Sequence, residues 1–409
     1  MGPRTNTSSL QASSRRRAMA ISLVTIFVLV TVKTVSENIQ IVHDLEEGTY
    51  KFLQNWRVTA GTTVRPHVLV VDIGDLKPER WERDGRSDLA TPRGPLKEMI
   101  QVFADLDARA IGVDVDFSPE NGQVIHPDDP QFFDWCLQLS EKRNIPILLG
   151  VHRTFKQPYK WLGDDRYMRL AAFIAIRKGG NYEQLPHWIR TKNGFLLRSM
   201  GAALAGADVN ATGSDESPWT WAIRSTSIIK PGPDLESKES LIDYAPLQRI
   251  REDALPMLPP EAFRKMKDKI EGRMVILGDI RPESGDMFQS RVGPIPGVFI
   301  HASGANTIAT EPLYRLTLLG RIAIDVLLAL LILVLVEFSL WLQSRFGRSS
   351  THAEYWWNVI FTLLVVILVL TVSVGLIHWT RLLWTDFVVV CAVLLVQLLV
   401  DIFRSRSKA

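Results

Sequence analysis

Ala110-Ile111-Gly112-Val113-Asp114-Val115-Asp116-Phe117 is an apolar run broken by two carboxylates two places apart. The two-residue period of a strand puts Asp114 and Asp116 on one face and Ile111, Val113, Val115 and Phe117 on the other. Upstream, His67-Val68-Leu69-Val70-Val71-Asp72-Ile73 is a buried-strand signature. Between the two, Thr91-Pro92-Arg93-Gly94-Pro95 opens a helical pattern carried by Leu96, Met99, Ile100, Phe103 and Leu106. This is a strand–helix–strand unit. Downstream, a helix over about 131–142 leads to the apolar run Ile145 to Gly150, so a parallel α/β sheet with right-handed crossovers is expected. Regularity fails across 151–269. There Tyr159, Trp161, Trp188, Trp219 and Trp221 read as packing residues, Pro231-Gly232-Pro233 marks a loop, and Arg198 to Ala207 reads as a small-residue helix. It returns with a strand over Arg273 to Asp279, then Gly285-Asp286, a turn from Gly293 to Gly297 and a helix from Val298 to Ala309.

Four apolar runs surround this pattern and set its compartment. Ala18 to Val35 follows Arg15, Arg16 and Arg17 and has about the minimum length of a spanning helix. An uncleaved anchor is the preferred reading over a signal peptide, because Thr34-Val35-Ser36 is a poor cleavage site. The remaining runs cover 316–342, 358–377 and 382–403, with Tyr355, Trp356, Trp357, Trp379 and Trp384 at their ends as interfacial anchors. With four spans, Arg4 and Arg15–Arg17, then Arg345 and Arg348, then Arg404, Arg406 and Lys408 all fall on one side. The expected division is therefore a cytoplasmic tail (1–17), a first span (18–35), an exported region (36–315), a second span (316–342), a cytoplasmic loop (343–357), third and fourth spans (358–377 and 382–403) and a cytoplasmic tail (404–409). Residues 36–57 read as an amphipathic stalk continuing the first span. The expected fold class is an exported α/β domain, with a parallel or mixed sheet and flanking helices, plus four transmembrane helices.

A net charge of +3 with 22% charged residues excludes both a disordered acidic chain and a basic nucleic-acid coat. Cys136 and Cys391 are too far apart for a disulfide framework or a thiolate metal cluster. Chemistry must come from carboxylates. Asp114 and Asp116 need a cation, hydrogen bonds or water, since an unpaired buried carboxylate costs several kcal/mol. Asp72 and Asp279 close apolar strands, and the carboxyl ends of parallel strands face the ligand crevice. Asp72, Arg93, Asp114, Asp116, Asp279 and Asp286 are thus the candidate ligand-binding residues, against the plain alternative that Asp72 and Asp279 cap turns beside glycines. His67, His152 and His301 read as ordinary satisfied histidines. No nucleophile elbow, phosphate loop or dinucleotide fingerprint is present, no metal or cofactor is assigned, and no catalytic residue is named. Within the second span, Asp325 lies one turn after Arg321, whereas Glu337 has no cation near it in sequence and should face another helix or water. An intramolecular contact and a contact with a second copy or a partner both stay open for it.

In order along the chain, Val68–Asp72, Thr91-Pro92-Arg93 with its helix, Ala110–Phe117, and Val275–Asp279 running through Asp286 to Pro296-Gly297-Val298-Phe299-Ile300-His301-Ala302 resemble the CHASE type-2 family. These are sensory domains found outside the membrane in bacterial cyclases and histidine kinases. The resemblance covers most of Val64 to Tyr314 and implies a non-enzymatic sensor of an unknown small molecule or protein. The usual cytoplasmic output module of the family is not seen, so a membrane or cytoplasmic effector is the expected partner, beside the lipid bilayer itself and an optional homodimer. Two other classes fit parts of the sequence: an exported metal-dependent hydrolase, if Asp72, Asp114, Asp116 and Asp279 share one rim, and a transporter, from Asp325, Glu337 and Asp386 in apolar runs.

Overall fold

The computed structural model describes residues 40–60, 64–83, 86–117, 127–151, 165–174, 184–191, 196–206, 222–224, 226–232, 235–290, 292–310, 313–346, 351–384 and 391. The expected first span (18–35), both terminal tails and most of the expected fourth span lie outside them. The chain divides into two compact units: Lys51–Ser214 with Ser225–Tyr314, and Met1–Tyr50 with Asp215–Arg224 and Arg315–Ala409.

The larger unit is built on five parallel strands: β1 (Val68–Asp72), β2 (Ala110–Val113), β3 (Ile147–Val151), β4 (Ala171–Phe173) and β5 (Met274–Gly278). Their order is β1-β5-β2-β3-β4, so the last strand in sequence sits between the first two. Val68 faces Met274 across one ladder, and Met274 faces Ala110 across the next. All five residues of β5 are buried, as a strand covered on both faces requires. Alternation divides the core. Leu69, Val71, Ile111, Val113, Ile147, Leu149, Val275 and Leu277 pack under helices α2 (Arg93–Asp105) and α3 (Asp129–Arg143). Val68, Val70, Ala110, Leu148, Met274 and Ile276 pack under α4 (Met200–Leu204), α5 (Leu247–Asp253) and α6 (Gly297–Ala309).

Local chemistry explains the helix ends. Pro95 lies in the first turn of α2 and Pro130 in that of α3, where a missing N–H costs nothing. Helix α3 stops at Asn144 in the left-handed conformation, after Lys142 and Arg143 in its last turn. The stalk expected over 36–57 is the helix α1 (Gln40–Ala60). Its second half docks through a buried network: Arg57 donates to the Asp243 carboxylate at 2.6 and 3.1 Å, and the Gln54 side chain donates to the Ile242 carbonyl and accepts from the Tyr244 amide.

The irregular middle holds a second sheet that the sequence reading did not resolve. Strands at 226–232, 235–241, 184–191 and 196–198 form an antiparallel sheet in that order; Pro231 and Gly232, expected to mark a loop, end the first of these strands, and Pro233 lies outside the described residues.

In the smaller unit, α7 (Leu318–Phe346) and α8 (Thr351–Gly375) are joined across 347–350, so most of the loop expected over 343–357 is helical. Residues Val359–Thr380 are long and apolar enough to cross a membrane. That helix ends at Arg381, whose φ of 54° breaks it, and Leu382–Leu383 is a short strand where the fourth span was expected to begin. It belongs to a three-stranded sheet with 314–316 and 223–224.

Candidate functional site

Parallel strands place every carboxyl end on one rim, and the insertion of β5 between β1 and β2 makes Asp279 a neighbour of both Asp72 and Asp114 in the strand order. Three titratable groups meet there. Asp114 follows β2 directly; its amide donates to the Leu277 carbonyl at 2.7 Å, which continues the ladder one residue past the strand. His301 lies one turn into α6 and is only 2% exposed. Its Nε2 lies 3.2 Å from the Ile174 carbonyl and 3.9 Å from Asp114 Oδ1. A carbonyl only accepts, so Nε2 carries the proton, and among the described residues Nδ1 has no hydrogen-bond partner. Asp286 approaches from the loop before the 287–290 strand, and the Gly297 amide at the start of α6 donates to its main-chain carbonyl at 2.9 Å.

Two glycines make this approach. A Cβ on Gly278, at the end of β5, would lie 2.6 Å from Val298 Cγ2 and 3.3 Å from Asp114 Cβ. A Cβ on Gly297 would lie 2.6 Å from Asp286 Oδ2 and 3.0 Å from Phe288 Cε2. Only hydrogen at these positions lets α6 lie against the strand ends.

The electrostatics follow from burial. Desolvation pushes the Asp114 carboxyl up to about 7. It pushes Asp286 up to about 6, helped by the charge of Asp114 and opposed by His301 and the Gly297 N–H. The same burial lowers His301 to about 4, against the pull of Asp286. The imidazole is therefore neutral near pH 7, while Asp114 is poised between its acid and its anion.

The other expected site residues are held differently. Asp72 closes a turn, with Oδ1 accepting from the amides of Gly74 at 2.9 Å and Ile280 at 3.3 Å. Asp279 binds Arg281 through three hydrogen bonds of 2.8 to 3.0 Å; burial works upward on its carboxyl, but these bonds outweigh it and hold it below the ordinary value. Asp116 is exposed while the Asp114 side chain is only 6% exposed, so the shared face expected from strand period does not give them a shared environment. The strand ends at Val113, and beyond it alternation no longer applies. Arg93 is buried in an ion pair with Asp129 at 2.7 Å, donates to the Thr91 carbonyl, and stacks on Phe117 at 4.5 Å. It fastens α2 to α3. Asp325 is buried within α7, and the side chain of Glu337 lies outside the described residues.

His301 is the member that sequence reading passed over. Its one signal was position: it stands one helical turn after a Pro-Gly helix start, in a stretch that follows Asp286 by 15 places. Among the described residues no group of three His, Cys, Asp or Glu side chains is arranged to hold a metal ion.

The CHASE2 domain model matches residues 22–336, more than three quarters of the chain, and the chain belongs to that family of extracytoplasmic sensory domains. Neither a curated protein nor a solved structure gave a match.

Proposed function

We propose that this CHASE2-domain protein is a non-enzymatic, multi-pass sensor of a bacterial inner membrane, with both termini cytoplasmic and residues 36–315 outside. Its α/β unit receives a small molecule, an ion or a protein at the rim formed by Asp114, Asp286 and His301, and its membrane helices pass the resulting state to an effector on the cytoplasmic side. The observation that carries the reading is the composition of that rim. A buried carboxyl, a half-buried one and a buried neutral histidine, drawn from three separate segments, are more costly than a hydrophobic core would be, and such cost is ordinarily retained where binding or switching uses it.

Reporter fusions at Gly232 and after Ala409 test the topology: opposite sides of the membrane are expected, and the same side for both defeats the reading. Affinity capture of the full chain from its native membrane tests the signalling half. An effector should co-purify, and its yield should change in folded Asp114→Asn and Asp286→Asn variants; capture indifferent to both would separate the rim from the output.

A further inference from the structure

We propose that the Asp114–Asp286–His301 cluster is a proton-operated switch, with extracytoplasmic acidity as its stimulus and α6 as its moving part. The inference deepens the sensory reading above and rests on it. Its geometric basis is that one helix touches both the cluster and a distant joint. The first turn of α6 holds Asp286 through the Gly297 amide, and the second presents His301 3.9 Å from Asp114. Near its other end, the Thr307 hydroxyl accepts from the Asp243 amide at 2.9 Å, and Asp243 is the partner of Arg57 on α1.

Among the described residues, the charged groups on the elements around the cluster are engaged elsewhere or point away from it. From β1 comes Asp72, already bonded by two amides, and from the end of β5 comes Asp279, which occupies Arg281. From α5 comes Arg251, whose guanidinium lies 5.6 Å from the ring of Phe299, a residue 200° around the helix from His301. Helix α4 and the 293–296 strand carry no ionisable side chain. A proton from solvent is the smallest carrier of positive charge that can reach the cluster.

The step balances simply. One proton from water adds to the Asp114–His301 pair, and its net charge rises from −1 to zero whichever partner holds the hydrogen. Loss of that proton leaves two carboxylates, Asp114 and Asp286, repelling each other beside a neutral imidazole. Separating them requires the Asp286 loop or α6 to move, and α6 carries the displacement to Asp243 and Arg57. The groups titrate in a useful range, since burial sets Asp114 at about 7 and Asp286 at about 6.

The test uses the full chain in lipid nanodiscs, titrated from acid to alkaline pH. Infrared difference spectra should show a buried protonated carboxyl that disappears within about one pH unit of 7. Amide exchange over 297–309, corrected for its intrinsic pH dependence, should change with the same midpoint. Asp114→Asn should remove both signals. Should that variant not fold, Asp286→Asn replaces it: the Asp114 band is retained, and the repulsion-driven change in α6 is lost. A wild-type α6 indifferent to pH, or an exchange midpoint unmoved in whichever variant folds, overturns the switch. Either result leaves the sensory reading to its own tests, topology and effector capture.

Discussion

Two sites in the sensory unit bury charge to the same depth and treat it in opposite ways. At the Arg57–Asp243 joint the side chains are 9% and 5% exposed; at His301–Asp114 they are 3% and 6%. The joint is complementary. A guanidinium meets a carboxylate through two hydrogen bonds, and Asp243 Oδ1 also accepts from the Ala245 amide. The rim has two acids and a neutral imidazole whose Nδ1 has no partner among the described residues. Burial alone thus says little about role. Where partners complete the charge, the site is a fastener, as at Arg93–Asp129. Where they do not, the charge state depends on pH and on solvent access.

The largest expected effect breaks the fastener. Arg57→Ala leaves Asp243 buried without its cation and should destabilise the sensory unit by about 3 to 5 kcal/mol, read by chemical denaturation. The double change Arg57→Met with Asp243→Leu should cost far less, because no charge is then stranded. Equal losses would mean that the pair matters for packing and not for charge.

The next effect concerns pH and sharpens the contrast. Asp114 has its folded value raised from 3.8 to about 7, so its contribution is complete below pH 3.8 and is lost as pH rises through 7. His301 has its folded value lowered from 6.5 to about 4, so its contribution is present above 6.5 and is lost as pH falls through 4. Between these limits the two slopes oppose each other. In Asp114→Asn, stability should rise between pH 4 and 6.5, and in His301→Gln it should fall between pH 4 and 7, each by about 3 to 4 kcal/mol at most. Denaturation midpoints across pH give the sign directly; parallel slopes in the two variants would show that one of the two groups shifts in the opposite direction. The double variant at the joint should add no such slope, because it leaves no titratable group there.

A smaller effect probes the approach of α6. Gly278→Ala drives a methyl into Val298 and should cost about 1 to 3 kcal/mol, with the Asp114 titration displaced as α6 backs away. The smallest belongs to exposed pairs such as Lys267–Asp107 at 3.5 Å and Arg143–Asp105, where Ala substitution should change stability by about 1 kcal/mol or less.

Much of the fold was legible because strand and helix periods are local. Val68–Asp72, the helix after Pro92, Ala110–Val113 and Met274–Gly278 all stand where apolar spacing puts them. The antiparallel sheet of the middle was not legible, since strands such as Gln184–Thr191 and Leu235–Leu241 alternate weakly and are interrupted by polar residues. The candidate site was half visible. Asp114 and Asp286 could be named as acids in suggestive places, but Arg93 looked equally available and is committed to Asp129. His301 looked ordinary because a histidine's environment is made by residues far away in the chain.

The sequence by itself determined that acids close the strands of an α/β unit, that a Pro-Gly pair opens α6, and that a long apolar helix lies toward the C-terminal end, because each depends on neighbours a few residues apart. Only the tertiary structure decided which acids are bonded and which are stranded. That depends on β5 entering between β1 and β2, and on α6 carrying His301 against a carboxylate 187 residues earlier in the chain. Solvation and charge are set by three-dimensional neighbours, and no local pattern encodes them.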